Sequence, residues 1–162
     1  MASGDLLWPF LAWDGQPPAT GYPTKDYRNG REVLDFDAAA DETTYFQGWM
    51  PANYAGGGVR CKVYAKASAA TSGTARVGIC WERGNTDADA DSFASEKQVA
   101  LTADATSGIT FSGTLDFANS EIDGVLAGEP FRIKFTRDAD GSTGTDDMSG
   151  DLELELIVLT EI

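Results

Sequence analysis

Residues 59–82 read VRCKVYAKASAATSGTARVGICWE and contain two runs in which apolar and polar side chains alternate. In the first run, Val59, Cys61 and Val63 alternate with charged or polar residues, and residues 75–82 repeat the pattern. A period of two places the apolar side chains on one face of a strand and the polar ones on the other. This stretch therefore predicts two β-strands, each with one buried face.

The same alternation recurs along the chain from residue 31 onward. The further runs are residues 32–37, 43–49, 97–102, 109–117, 131–137 and 151–158. Gly, Asp, Asn and Ser separate them, and no amphipathic helix pattern lies between them. About eight short strands at this spacing predict an all-β fold, a single antiparallel β-sandwich of the jelly-roll type, formed by residues 31–162.

The first thirty residues have a different composition. They contain four of the six prolines and an apolar cluster formed by Leu6, Leu7, Trp8, Phe10, Leu11 and Trp13. Proline interrupts both helices and sheet ladders, so residues 1–30 are predicted to form an extended, Pro-rich N-terminal arm. An apolar cluster is unfavourable in water, so we expect these six residues to bind a partner chain or to fold back onto their own sandwich.

Charge and composition exclude several classes of function. The chain has 26 acidic and 12 basic residues, a formal charge of -14, which repels nucleic acids and anionic membranes. It has no histidine, which removes the usual general base, the Ser-His-Asp arrangement and the commonest zinc ligand. Because no specific catalytic motif is present either, we predict that the protein is not an enzyme.

The two cysteines, Cys61 and Cys80, are too few for a disulfide framework. Cys61 occupies one of the alternating apolar positions of its strand, whereas Cys80 occupies one of the polar positions of the next strand. If these strands form a hairpin, the two sulfur atoms point to opposite faces. We therefore predict two free thiols.

The segment GNTDADADSF, residues 84–93, places acidic side chains at alternate positions, namely Asp87, Asp89 and Asp91. They match the first three ligands of an EF-hand, but Ser92 occupies the glycine position and Gln98 the position of the final glutamate. A second acidic segment, residues 137–151, contains Asp138, Asp140, Asp146 and Asp147. Both are predicted to be solvated connections without a cofactor, and Ca²⁺ binding at the three aspartates of the first segment is the alternative.

Aromatic residues on polar parity or in loops form another candidate site. Trp49 and Tyr54 are the candidates for stacking on sugar rings, and the alternative is that they fill an interface between subunits. Tyr64 is also an aromatic residue at a polar position, but packing of its ring along the aliphatic stems of Lys62 and Lys66 explains it equally well.

One long stretch resembles a known group of proteins. It begins at LDFDAAADETTYFQGWMPANYAGGG, residues 34–58, continues through the two alternating runs and DADADSF, and ends with DGVLAGEPFRIKFTRD, residues 123–138. The pattern is similar to that of small tailed-bacteriophage virion proteins with a jelly-roll β-sandwich. It covers about residues 31–162 and excludes the arm.

The resemblance implies a structural virion protein, most simply a capsid decoration (cement) protein. Such a protein would bind the major capsid protein on the outer surface of the phage head and would be made in the host cytoplasm. It would act as a homo-oligomer, with a trimer favoured over a dimer. The alternative is a carbohydrate- or receptor-binding module associated with the tail.

Overall fold

The computed structural model describes residues 2–85 and 89–162, which form ten β-strands and two short 3-10 helices. The strands are β1 (Leu6–Leu11), β2 (Thr24–Arg28), β3 (Arg31–Phe36), β4 (Glu42–Trp49), β5 (Val59–Ala67), β6 (Thr74–Arg83), β7 (Lys97–Thr102), β8 (Phe111–Phe117), β9 (Pro130–Arg137) and β10 (Leu152–Glu161). The helices are Ala12–Asp14 and Asn119–Glu121, and no helix in the described residues is long and apolar enough to cross a membrane.

The strands form two antiparallel sheets that pack face to face. The first sheet has the order β2-β3-β10-β5-β8, and β1 pairs with β10 as its sixth strand. The second sheet has the order β4-β9-β6-β7. The predicted all-β antiparallel sandwich is therefore confirmed, and the eight predicted runs correspond to β3 through β10. Their alternating residues form the two faces that meet in the core, including Phe46, Trp81, Phe117 and Phe135.

The N-terminal segment belongs to the sandwich and does not form a separate arm. Strand β1 pairs antiparallel with the end of β10, with Leu11 opposite Leu156, and Leu7 and Phe10 are buried in the core. Proline is tolerated in β1 because β1 is an edge strand, where a missing N–H costs little. Two side chains of the apolar cluster, those of Leu7 and Phe10, thus fill space between the sheets.

The predicted boundary at residue 31 falls inside a β-hairpin. Strands β2 and β3 pair along their length, and Asn29 and Gly30 connect them with φ values of 49° and 77°. Asn-Gly is the favoured dipeptide for a two-residue hairpin turn because both positions need a positive φ. The Asn29-Gly30 dipeptide is therefore a sequence signal for this hairpin, and the predicted boundary between arm and domain did not take it into account.

Both cysteines are free, as predicted, and both are buried. Strands β5 and β6 lie in different sheets, so the segment between them crosses the sandwich and does not form a hairpin. Cys61 faces the core, and burial raises the pKa of its thiol well above the ordinary range. Burial likewise raises the pKa of Cys80 to about 11. Neither thiol is therefore a reactive thiolate at neutral pH.

Candidate functional site

A cleft of about 520 Å³ opens at one end of the second sheet, where β4 and β6 end and β9 begins. Its floor follows the register of these strands. One row of opposed residues across the three strands consists of Gln47, Arg132 and Glu82. In the next row on the same face, Trp49 lies opposite Pro130, and the Gly84 backbone N–H donates to the Pro130 carbonyl. Trp8, from β1 of the first sheet, lines the opposite side. The cleft is thus built from both sheets of the sandwich.

Two tryptophans give the cleft its apolar surface. Trp49 is 53% exposed because it shares the outward parity of Gln47 on β4, whereas Thr44 and Phe46 point into the core. Trp8 is 37% exposed and follows an irregularity in the pairing of β1 with β10. Tryptophan combines a large apolar face with one N–H donor, so exposed pairs of this kind are typical of recognition surfaces.

Gly48 allows the aromatic residues below the cleft to pack closely. A Cβ atom at this position would lie 2.6 Å from the Phe131 ring and 3.0 Å from the Phe10 ring. Phe10 and Phe131 pack edge to face with 6.2 Å between ring centroids. A side chain at position 48 would therefore push these rings apart and change the shape of the floor.

The two arginines that line the cleft, Arg83 and Arg132, form pairs with carboxylates in and beside it. Arg132 donates from Nε to Glu82 Oε2, and from Nη2 to Asp91 Oδ1 at 2.5 Å. The backbone N–H of Ser92 donates to Glu82 Oε1 at 2.7 Å. Arg83 donates to both oxygens of Glu129, from Nε at 2.6 Å and from Nη2 at 2.5 Å. These bonds hold the charged groups in fixed orientations before any ligand binds.

The carboxylates in these pairs are held in their ionised form. Burial raises the pKa of Glu82, but the hydrogen bonds from Arg132 and Ser92 outweigh burial, so its pKa lies below the ordinary value. The hydrogen bonds from Arg83, followed by that from the Leu126 backbone N–H, lower the pKa of Glu129. Both groups are therefore charged at neutral pH and accept hydrogen bonds.

The end of the acidic segment predicted to be a solvated connection, residues 91–94, packs on the outer face of the second sheet. Phe93 stacks on Tyr45 with ring centroids 5.9 Å apart, and the Arg132 guanidinium lies 4.7 Å from the Phe93 ring. The Ala94 backbone N–H donates to the carbonyl of Trp81. This packing places Asp91 within reach of Arg132.

Two of the three candidate calcium ligands, Asp89 and Asp91, lie within the described residues. Asp87 lies outside the described residues, Asp89 is exposed, and the Asp91 carboxylate is occupied by Arg132. Within the described ranges, the carboxylates close enough to share a cation are Asp41, Asp138 and Asp140. Both oxygens of Asp138 already accept hydrogen bonds from residues 142 and 143. Calcium binding by the first acidic segment stays a prediction.

Of the two candidate aromatics, Trp49 lies in the cleft and Tyr54 does not. Tyr54 is only 6% exposed; its hydroxyl donates to Asn119 Oδ1 and accepts from the Gly58 backbone N–H, both at 3.1 Å. The prediction that it stacks on a ligand is therefore wrong. A loop position suggested exposure, but contacts with distant residues bury the ring.

The six candidate partner-binding residues separate into two groups. Leu6, Trp8 and Leu11 are exposed, whereas Leu7 and Phe10 are buried in the protein's own core and cannot bind a partner. Trp13 is partly covered by Tyr27, and its Nε1 donates to the Val33 carbonyl. Sequence reasoning did not select Glu82, Arg83 or Arg132. The alternation on β6 and β9 marked Glu82 and Arg132 as outward-facing, whereas Arg83 continues the row of Trp81. No signal placed the three residues at one cleft.

No protein-family model matches the chain, and no curated protein matches it. Among solved structures, a family 35 carbohydrate-binding module from an environmental isolate has a TM-score of 0.56 at 12% identity, covering 95% of this chain and 93% of that one. A family GH115 4-O-methyl-α-glucuronidase with specificity for decorated arabinogalactans has a TM-score of 0.58 at 9% identity, covering 99% of this chain and 18% of that one.

An exo-β-1,3-galactanase from Phanerochaete chrysosporium, solved with galactose, has a TM-score of 0.53 at 14% identity, covering 98% of this chain and 29% of that one. The chain thus spans nearly all of a binding module and less than a third of either enzyme. Similarity at this level of identity establishes a jelly-roll-like β-sandwich.

Proposed function

We propose that this protein is a non-catalytic carbohydrate-binding module that binds a sugar chain in the cleft between Trp8 and Trp49. The observation that carries the proposal is the combination of two exposed tryptophans with oriented charged groups in one cleft. Ligand sites in proteins are concave and largely apolar, with a few polar groups at defined positions. This cleft meets that description.

The chemistry of a sugar ring matches the two kinds of surface. One face of a pyranose presents C–H groups, which pack against the face of an indole ring, and the rim presents hydroxyl groups that both donate and accept hydrogen bonds. In the cleft, Trp8 and Trp49 supply the apolar faces. Arg132 supplies N–H donors, and the exposed Gln47 opposite it supplies an amide that both donates and accepts.

The charge state of the cleft supports binding without hydrolysis. A glycosidase needs one carboxyl group whose pKa is raised enough for it to act as a general acid. Glu82 and Glu129 have lowered pKa values because arginines pair with them. In the part of the cleft formed by described residues, neither of these groups would hold a proton for a leaving group at neutral pH.

The virion role implied by the resemblance stays a prediction. A capsid-binding arm is no longer part of it, since residues 6–11 form a strand of the sandwich. The tail-associated carbohydrate-binding alternative would use the same cleft as the function proposed here. Of the two virion hypotheses, that alternative agrees with the cleft geometry.

A glycan array tests the proposal directly. The wild-type protein should bind a defined subset of glycans, and the Trp8→Ala/Trp49→Ala double variant should lose that binding. Tyr22→Ala is the matched control, because Tyr22 is a 48% exposed aromatic outside the cleft. Absence of saturable binding to any glycan, or equal binding by the double variant, would refute the proposal.

A further inference from the structure

The charged side chains of the cleft are already neutralised by one another. Arg132 is paired with Glu82 and Asp91, and the Glu82 side chain is only 4% exposed. The guanidinium group therefore has two carboxylate partners before a ligand enters. An additional anion would have to displace one of them or remain without a cation of its own.

The second arginine is neutralised in the same way. Arg83 forms a bidentate pair with Glu129, whose second oxygen also accepts from the Leu126 backbone N–H at 2.8 Å. The carboxylate of Asp123 lies at the same site, because it accepts from the Arg83 backbone N–H at 3.0 Å. Among the described residues, four carboxylates thus lie around the two guanidinium groups, namely those of Glu82, Asp91, Asp123 and Glu129.

From this excess of negative charge we infer, on the basis of the proposed function, that the cleft selects uncharged sugar chains and rejects hexuronate chains. Transferring a carboxylate from water into a cleft is costly unless a cation and hydrogen bonds compensate for the lost hydration. Among the described residues, the arginines that line this cleft are Arg83 and Arg132, and both are already paired with carboxylates. An incoming uronate would therefore find no unpaired arginine there to compensate its charge. A neutral sugar has no such cost.

The charge of the whole protein acts in the same direction. The formal net charge of -14 repels a polyanion during approach, within a screening distance of about 8 Å at physiological salt. For a neutral glycan this long-range force is absent. Affinity for a neutral glycan should therefore depend little on salt, whereas any residual binding of a polyuronate should change strongly with salt.

The experiment uses oligosaccharides of equal length and linkage that differ only in oxidation at C6. Suitable pairs are oligomers of glucose and glucuronate, mannose and mannuronate, and galactose and galacturonate. Isothermal titration calorimetry should find that the neutral member of at least one pair binds, and that its uronate partner binds about tenfold more weakly or not at all. Repeating the titration at low and high salt should change the neutral affinity by less than about twofold.

The outcomes separate this inference from the proposed function. Tight uronate binding that weakens with added salt would overturn the selection for neutral sugars and leave the carbohydrate-binding function intact. Failure of all the oligomers, together with an array without saturable binding, would overturn both. A neutral oligomer that binds in preference to its uronate partner supports both.

A charge variant tests the cause. Glu129→Gln removes one carboxylate partner of Arg83 while keeping the shape of the side chain, so affinity for the uronate member should rise by about three- to tenfold. Glu32→Gln is the matched control, because it removes the same charge from an exposed position on β3, away from the cleft. An equal change in the two variants, or no change in either, would overturn the local charge argument.

Discussion

The two ends of strand β9 each carry an arginine, and the two side chains have opposite environments. Arg132 faces outward at the cleft and is partly exposed, whereas Arg137 continues the inward row of Phe131, Ile133 and Phe135 and is fully buried. Both pair with carboxylates. Their difference in burial decides whether the ion pair is available to a ligand or serves only the fold.

At the buried end, Arg137 uses its five N–H groups within the protein. It makes a bidentate pair with Asp146 at 2.9 and 3.0 Å and donates to the carbonyls of Phe36, Gly150 and Met148. These bonds attach the second acidic segment to the sandwich. Arginine therefore stabilises the fold where its side chain points between the sheets, and it lines the cleft where its side chain points outward.

The largest effect is expected from Arg137→Met, which leaves the buried Asp146 carboxylate without its cation. The free energy of unfolding should fall by about 3–5 kcal/mol. Urea denaturation followed by tryptophan fluorescence measures this loss. Arg60→Met is the control, because its ion pair with Asp116 is exposed and its loss should cost less than about 1 kcal/mol. Similar losses in both variants would contradict the comparison.

The second-largest effect is expected on glycan binding, in the cleft at the exposed end of β9. Trp49→Ala should weaken glycan binding by about ten- to a hundredfold, since it removes one apolar face of the cleft. Because Trp49 is half exposed, the substitution should change the free energy of unfolding of the protein by less than about 1 kcal/mol. Calorimetry with a glycan identified on the array, combined with denaturation of the same sample, checks both values. A loss of stability as large as that of Arg137→Met would show that Trp49 serves the fold.

Tyr54→Phe tests a residue near neither arginine that sequence reasoning assigned to ligand binding. The substitution removes the hydroxyl that bonds Asn119 and the Gly58 backbone N–H, and should lower the free energy of unfolding by about 1–2 kcal/mol. Glycan affinity should stay within about twofold of the wild-type value. Chemical denaturation and calorimetry check the two expectations, and a selective loss of affinity would return Tyr54 to the binding surface.

The smallest expected effect is a dependence of stability on pH, which arises from Asp35 near the buried end of β9. Burial, followed by the charges of Asp151 and Glu153, raises the pKa of Asp35 from 3.8 to about 6. A raised pKa means that the folded state holds this proton more tightly than the unfolded state. The contribution of Asp35 to stability therefore becomes less favourable as pH increases from about 4 to about 6.

Asp35→Asn should remove this dependence and raise the melting temperature at pH 7 more than at pH 4. The Oδ1 atom of Asp35 is buried without a hydrogen-bond partner in the described structure, so the neutral amide loses no bond there. Melting temperatures of both proteins across this pH range measure the effect. Parallel curves for variant and wild type would contradict the raised pKa.

Much of the fold was predictable because strand periodicity is a local property. Eight runs from residue 31 onward became strands β3 to β10, and their alternation correctly separated core residues such as Val63 and Ile133 from outward residues such as Arg132. Strands β1 and β2 escaped prediction because proline suggested an irregular arm. Pro9 is accommodated only because β1 is an edge strand paired with β10, which the local sequence does not reveal.

The features of the candidate site also separate into those that the sequence predicted and those that it did not. The alternation on β4 made Trp49 recognisable as an outward aromatic, and the sequence by itself determined the acidic charge and the sandwich. Only the tertiary structure decided that Trp8 joins Trp49, that Glu82 pairs with Arg132, and that Tyr54 is buried. The physical reason is distance along the chain: periodicity places a side chain on a face of its own strand, whereas sheet order and packing decide which faces meet.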